Sequence, residues 1–468
     1  MKYKEAILQR WEKRAELFRF RCLRWIESHL SKNLSIVIIA VLVGIFTGCA
    51  AGVLKRLVHF FNSLALTGVK LGHPNYRFLV LPLAGVLLTS VYQRYVAGLK
   101  FGRCTYLIKR DLNSNNFLLD PLMIFNPIIG CSLTMGFGAT GGTEGPTALS
   151  GASIGSTLGQ WFRLPDQWVK IFFAIGAGAG IAAIFKAPIG GVLFTLEVLQ
   201  MQMSTISVLS LVLASLISSS TAYVMSDYTF DIYFDRHMAI DMTLLGWVAL
   251  FGLFCGLYSI YYSYMEHKAG VWFRSIRNPW SAALLTGGLL SLAVFFFPAL
   301  FGEGFGIITP LVNNADTEFI KGSLFEAHKS AMWVLGGVAV MMLIKSPLVA
   351  ASYSGGGVAG EFVPAFFTGA LAGFMFATIA NMIFGVHLPI WYFALIGMGC
   401  VMAGAIHAPL MAIFILCETT NTFGYIFPYL IAISITYATV KIITPHSKGV
   451  GPHHDDLGAL WGQGPKRL

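Results

Sequence analysis

Glu144 is the acid whose surroundings most narrow its chemistry. It stands in Gly141-Gly142-Thr143-Glu144-Gly145-Pro146. The glycines free the backbone, and Pro146 suits the first turn of a helix, where no N–H donor is needed. A helix that starts here and runs through Gly151 and Gly155 presents unpaired N–H groups and the positive end of its dipole. Gly142, Thr143, Gly145 and Pro146 then frame an anion site that carries no full positive charge. A Lys or Arg would hold the ion harder, whereas passage requires binding weak enough to let it leave. Glu144 sits in the same place and can act as a tethered competitor. Charged and inward, it fills the site; protonated or swung away, it admits a mobile anion. The plainer reading is a cap that stabilises the first helical turn.

A second start of the same kind is Gly360-Glu361-Phe362-Val363-Pro364, preceded by Gly355-Gly356-Gly357. Its backbone is expected to supply facing N–H groups, which adds Gly360, Glu361, Phe362 and Val363 to the candidate anion site. Glu361 is an extra acid, expected to cap its helix or to pair with a base such as Lys345. Glu197 and Glu418 each end an apolar stretch after Ala-Pro, and a shared structural role, such as hydrogen-bonding backbone at a helix break, is expected of them. His407 has no partner at metal-ligand spacing. His446, His453 and His454 near Asp455 and Asp456 are not read as a metal site either. The seven cysteines are scattered, mostly within apolar runs, and read as free packing thiols. No metal and no cofactor are expected.

The elements that position these residues belong in a bilayer. Of the 468 residues, 56% are hydrophobic and only 12% charged, about half the charge typical of soluble chains. A water-soluble core does not absorb that much apolar sequence. Fifty glycines allow close helix packing and broken helices. Clear apolar runs lie near 34–54, 78–97, 168–200, 205–224, 243–264, 281–300, 331–350, 362–384, 390–417 and 425–443. Many are interrupted by Gly and Pro, a pattern of discontinuous helices. Stretches 98–120, 225–240 and 302–330 read as loops or interfacial segments.

The chain repeats itself. Ile175-Gly176, Pro188 and Glu197 recur as Ile396-Gly397, Pro409 and Glu418, displaced by 221 residues each time. Pro146, Gly151 and Gly155 recur as Pro364, Gly369 and Gly373, displaced by 218. On this register Phe362 takes the place of Glu144, so only one half carries the acid. Two such halves imply a transporter built about a pseudo-two-fold axis, with binding where the breaks meet. The expected organisation is a basic amphipathic surface helix over 1–33, a first repeat over 34–224, a linker over 225–242, a second repeat over 243–445 and a short tail over 446–468. The formal net charge is +10, and the basic N-terminus reads as cytoplasmic by the positive-inside rule. The long apolar run directly after it disfavours a nucleic-acid arm.

Taken in order, these motifs resemble the CLC chloride channels and chloride/proton antiporters over about residues 34–445. Gly142-Thr143-Glu144-Gly145-Pro146 is similar to the family's G-x-E-G-P, which carries the gating glutamate. Gly360 to Pro364 resembles its G-x-F-x-P, and Ala187 to Glu197 its A-P-x-x-G-x-L-F-x-x-E. The resemblance implies an all-α polytopic membrane protein of about eighteen tilted and broken helices in two inverted-topology repeats. It also implies a homodimer with a separate pore in each subunit. In the antiporters a second Glu, an inner proton-transfer residue, usually follows the Glu197 position; here that position is Val198, as in members that behave as channels. The family's G-S-G-I-P is not recognisable, and Gly102-Arg103-Cys104-Thr105 lies roughly there. The late anion-contacting Tyr also lacks a counterpart, with His446 to Gly449 falling in its place.

The function expected is transport of a small anion, chloride, gated at Glu144 and uncoupled from protons because Val198 cannot carry one. The alternatives are a chloride/proton antiporter with another proton route, or a transporter of fluoride or nitrate. Pro146 within G-x-E-G-P disfavours fluoride. An intramembrane enzyme would need a nucleophile–base pair or a metal set such as H-E-x-x-H, and the sequence offers neither. The expected location is the cell membrane, multi-pass, with both termini cytoplasmic and the bilayer and a second copy of the chain as partners.

Overall fold

Apolar stretches broken by Gly and Pro fold into helices that tilt, stop and restart, because inside a bilayer every backbone group must find a partner within the protein. A computed structural model describes residues 32–67, 75–226, 232, 234, 242–314 and 330–444. Its first helices are α1 (Lys32–Leu66), α2 (Leu81–Val91), α3 (Cys104–Asn113) and α4 (Asn126–Gly136). α5 (Glu144–Trp161), α6 (Asp166–Phe185), α7 (Pro188–Leu193) and α8 (Thr205–Met225) follow. The second half holds α9 (Leu245–Ser275), α10 (Pro279–Phe296), α11 (Phe305–Asn314) and α12 (Ala331–Ser354). It ends with α13 (Phe362–Phe384), α14 (Ile390–Ile406), α15 (Pro409–Thr420) and α16 (Ile426–Ile443). Among the described residues nine helical segments are long and apolar enough to cross a membrane, and four more are apolar but shorter. The expected surface helix over 1–33 lies almost wholly outside the described residues, as does the tail over 446–468.

The repeated glycines mark where helices touch backbone to backbone. A methyl group on Gly151 would stand 2.2 Å from the Gly176 carbonyl oxygen, and one on Gly155 would stand 1.9 Å from that of Phe172. The second half does the same: a methyl on Gly369 would stand 2.1 Å from the Gly397 carbonyl oxygen, and one on Gly373 2.1 Å from that of Phe393. No larger residue fits, so α5 crosses α6 and α13 crosses α14 at the closest range that helices allow. α6 and α14 stop in the same way. Lys186 (φ 54°) and His407 (φ 63°) end them in the left-handed conformation. Ala-Pro then restarts the chain as α7 and α15, with Pro in the first turn.

The stretch 98–120, expected as loop or interfacial segment, contains α3. Hydropathy misses this helix because half of it is polar. Its spacing nonetheless buries Cys104, Thr105, Ile108, Asp111 and Leu112 on one side. The 302–330 stretch likewise holds α11.

α1 is long and apolar enough to cross a membrane; the side of its Lys32 end is the near face and that of its Leu66 end the far face. The chain returns through Tyr76–Val96, which brings Arg103 and the start of α3 back towards the near face. The α8 end lies on the far side, where Arg56 donates to the Met225 carbonyl at 3.0 Å.

Candidate functional site

Two Gly-rich loops meet at the centre. Gly142 N–H donates to the Gly360 carbonyl at 3.1 Å, and Gly360 N–H donates back to the Gly142 carbonyl at 2.6 Å. This reciprocal antiparallel bridge sits on the pseudo-two-fold axis and joins residues 218 apart. From it α5 and α13 diverge, their N-termini brought together as the repeat predicts. The start of α3 joins them: a methyl on Gly145 would lie 3.1 Å from Thr105 Oγ1 and 3.5 Å from Gly360 Cα.

The Glu144 side chain turns into this junction. Its Oε1 accepts a hydrogen bond from the Phe362 N–H at 2.6 Å. Its carboxylate fills the space that a side chain on Gly142 or Gly360 would need, at 1.9 Å and 2.2 Å from the respective Cβ positions. Glu144 is fully buried, and its Oε2 has no hydrogen-bond partner. A carboxylate thus occupies the positive N-terminus of a helix from the opposite half, at the depth where such a group is costly. Thr143, Gly145, Pro146, Phe362 and Val363 are buried around it. Phe362 packs its ring 6.0 Å from that of Phe194.

Glu197 and Glu418 do not face the centre. Glu197 accepts from Leu410 N–H at 3.3 Å and Met411 N–H at 2.8 Å. Glu418 accepts from Ile189 N–H at 3.0 Å and Gly190 N–H at 2.9 Å. Each carboxylate caps the short helix of the other half, an exchange that the 221-residue repeat requires to be mutual. Val198 is buried at the end of a π-helical turn over Phe194–Val198. Its neighbour Glu197 is committed to capping and points elsewhere.

Glu361 does not pair with Lys345. Its Oε2 takes Arg103, with Nε at 2.7 Å and Nη2 at 2.5 Å. Arg103 Nη2 also reaches Glu266 Oε1 at 3.1 Å. The Tyr353 hydroxyl donates to that same oxygen at 2.6 Å, and the guanidinium lies over the Tyr353 ring, 5.3 Å from its centroid. Lys345 is held instead by the Thr140 hydroxyl and the Phe367 ring face, 4.5 Å from its centroid. A guanidinium presents several donors to two acids at once, which an ammonium behind Thr140 cannot match. On the other side of Glu144, the Thr143 hydroxyl donates to Glu303 Oε1, and Glu303 Oε2 pairs with Lys55 Nζ at 2.9 Å.

Sequence reasoning missed Arg103, Glu266, Tyr353, Lys55 and Glu303. Two signals were present. Arg103 occupies the loop where the resembled family places an ion-contacting Ser, and Gly302-Glu303-Gly304 sets another acid among glycines.

Comparison with known proteins agrees with this arrangement. The family model described as voltage gated chloride channel matches residues 84–441, well over half of the chain. The chain belongs to the voltage gated chloride channel (CLC) family. A curated CLC relative is the H(+)/Cl(-) exchange transporter ClcA of Vibrio cholerae serotype O1 (strain M66-2), 27% identical over 306 residues. That match covers 64% of this chain and 62% of the relative, so this chain spans under two thirds of the relative's length. Two solved structures share the CLC fold. A slow cyanobacterial Cl-/H+ antiporter superposes with a TM-score of 0.72 at 21% identity, over 90% of this chain and 96% of that one. A CLC-type fluoride/proton antiporter superposes with 0.70 at 22% identity, over 87% and 96%. This CLC chain is therefore a multi-pass membrane protein with the family's two-repeat helical fold.

Proposed function

We propose that the protein passes chloride through a pore in each subunit of a homodimer, gated by the Glu144 carboxylate and uncoupled from protons. The observation that carries the reading is the bond from Phe362 N–H to Glu144. A mobile anion would use the same donor and the same cradle between Gly142 and Gly360. The side chain is then a competitor covalently tied to the site. Thr143, Gly145, Pro146, Glu361 and Val363 contribute backbone at the two helix starts, where dipoles favour an anion without trapping it. Protonating Glu144 removes its charge and its claim on the site, so flux rises as pH falls.

Uncoupled flux follows from Val198. Its isopropyl group holds no proton, and the adjacent Glu197 is occupied by two N–H donors of α15. A second reading, chloride/proton exchange, is favoured by a buried acid and by a relative. Glu361 is buried beside Phe362, and its Oε1 has no hydrogen-bond partner. The V. cholerae relative is also named as an exchanger. We place the near face in the cytoplasm, from the basic residues preceding α1, and the protein in the cell membrane. Exposed Ile189, Leu196, Leu410 and Phe427 around the mutually capped helices offer an apolar face for the second subunit.

The test uses purified protein in tight liposomes with an imposed chloride gradient, the voltage clamped by an ionophore and internal pH recorded. The expected result is chloride flux without uphill proton movement. Proton movement driven by the chloride gradient and abolished in Glu144→Ala would establish exchange instead. Its loss in Glu361→Gln as well would make Glu361 the inner acid.

A further inference from the structure

A cavity whose charges the gating scheme leaves unused is linked to the gate loop through Glu303 and Thr143. Its volume is about 700 Å³, and its walls carry Lys55, Arg56, His59 and Lys186 against one lining acid, Glu303. Glu303 projects from a turn whose flanking glycines, Gly302 (φ 65°) and Gly304 (φ 92°), take conformations that other residues rarely adopt. Gly302 N–H donates to the Gly138 carbonyl at 3.4 Å, which ties this turn to the loop leading into Gly141 and Gly142. One Glu303 oxygen accepts from the Thr143 hydroxyl and the other pairs with Lys55. Thr143 is fully buried and directly precedes Glu144. The Lys55 side chain keeps 24% of its surface exposed and Glu303 keeps 14%, so the ion pair borders the cavity while its acid reaches the gate loop. The Lys55 ammonium also stands over the Phe305 ring, 5.0 Å from its centroid.

We propose that Lys55 captures small monovalent anions at the far mouth of the pore and that Glu303 is its built-in competitor. The inference rests on the anion reading above. An anion arriving in the cavity is concentrated by Arg56, His59 and Lys186. It then replaces the Glu303 carboxylate at Lys55, one negative group for another, so the ammonium is never left without a counter-charge. A lysine suits this task, since its ammonium is a point charge with rotatable donors and grips no planar partner bidentately. The released Glu303 still holds Thr143, which places the waiting anion next to the cradle that Glu144 vacates. The mouth thus repeats the logic of the gate: a fixed donor, and a tethered carboxylate that yields to a mobile anion.

Planar-bilayer recordings of the full chain, with chloride varied on one face at a time, test this. Lys55→Gln should raise the half-saturating chloride concentration on the far face roughly fivefold, the upper end for a part-exposed charge pair, and leave the near-face value unmoved. Glu303→Gln should lower the far-face value. The double variant Lys55→Gln, Glu303→Gln leaves no unpaired acid and guards against misfolding; it should behave like Lys55→Gln. Unchanged half-saturation in Lys55→Gln and in the double variant would overturn the inference. So would Glu303→Gln that reduces maximal flux without moving the far-face value, because Glu303 would then only anchor Thr143. Absence of anion flux from the wild-type protein would overturn the proposed function and this inference with it. Flux with unmoved half-saturation overturns this inference alone.

Discussion

The two helix starts at the membrane centre share a backbone and differ in one side chain. Gly142–Pro146 carries Glu144 and Gly360–Pro364 carries Phe362 in the matching place, with Gly142 and Gly360 bonded to each other across the axis. A few turns away the halves do not differ: Glu197 and Glu418 are both present and each caps the other half's helix. An acid kept in both halves holds the halves together. Glu144, present in one half only, turns to the centre against the Phe362 N–H. On the proposed function, the doubled pair Glu197 and Glu418 is scaffold, and the break in the doubling at Glu144 and Phe362 marks the gate.

The sharpest way to break that contrast is at Glu144. Glu144→Gln should keep anion flux and lose most of its pH dependence, measured as chloride efflux from liposomes between acid and neutral pH. A variant with unchanged pH dependence would make Glu144 a cap like Glu197. Next in size come the glycine crossings. Gly151→Val and Gly369→Val each drive a side chain into a carbonyl oxygen. Each should cost the fold at least about 1–3 kcal/mol, read as a lower melting temperature in detergent, and equally so in both halves. A loss confined to one half would contradict the equivalence of the two crossings. Glu197→Gln and Glu418→Gln should each cost about 1–2 kcal/mol, because an amide accepts the two N–H groups less well than a carboxylate. The pH dependence of flux should stay as in the wild type; a change in only one of the two would end the shared-cap account. Phe362→Leu should matter least. That position works through its N–H, so chloride affinity should move less than about twofold.

Much of this was legible because a repeat is a long-range constraint written in local residues. The 218 and 221 displacements predicted which glycines, prolines and acids correspond, and the crossings and mutual caps follow that register. Glu144 was legible because glycines on both sides and Pro146 specify a helix start around an acid. What stayed hidden were side-chain pairs between residues with no shared period. Arg103 and Glu361 lie 258 positions apart, and nothing near Glu361 distinguishes Arg103 from Lys345 as its partner. Lys345 instead turns to Thr140 and to Phe367 of α13. α3 was not singled out since its burial depends on neighbours contributed by other segments, and hydropathy alone reads 98–120 as loop or interfacial segment.

The central claim is that the Glu144 carboxylate sits where the anion binds. Chloride titration of the purified protein by calorimetry, wild type against Glu144→Gln, tests it most directly. With the competitor's charge removed, chloride should bind more tightly to Glu144→Gln than to the wild type at neutral pH. The difference should shrink as the wild type is acidified and its own carboxylate protonates. Equal chloride affinity in the two proteins across that pH range would contradict the claim.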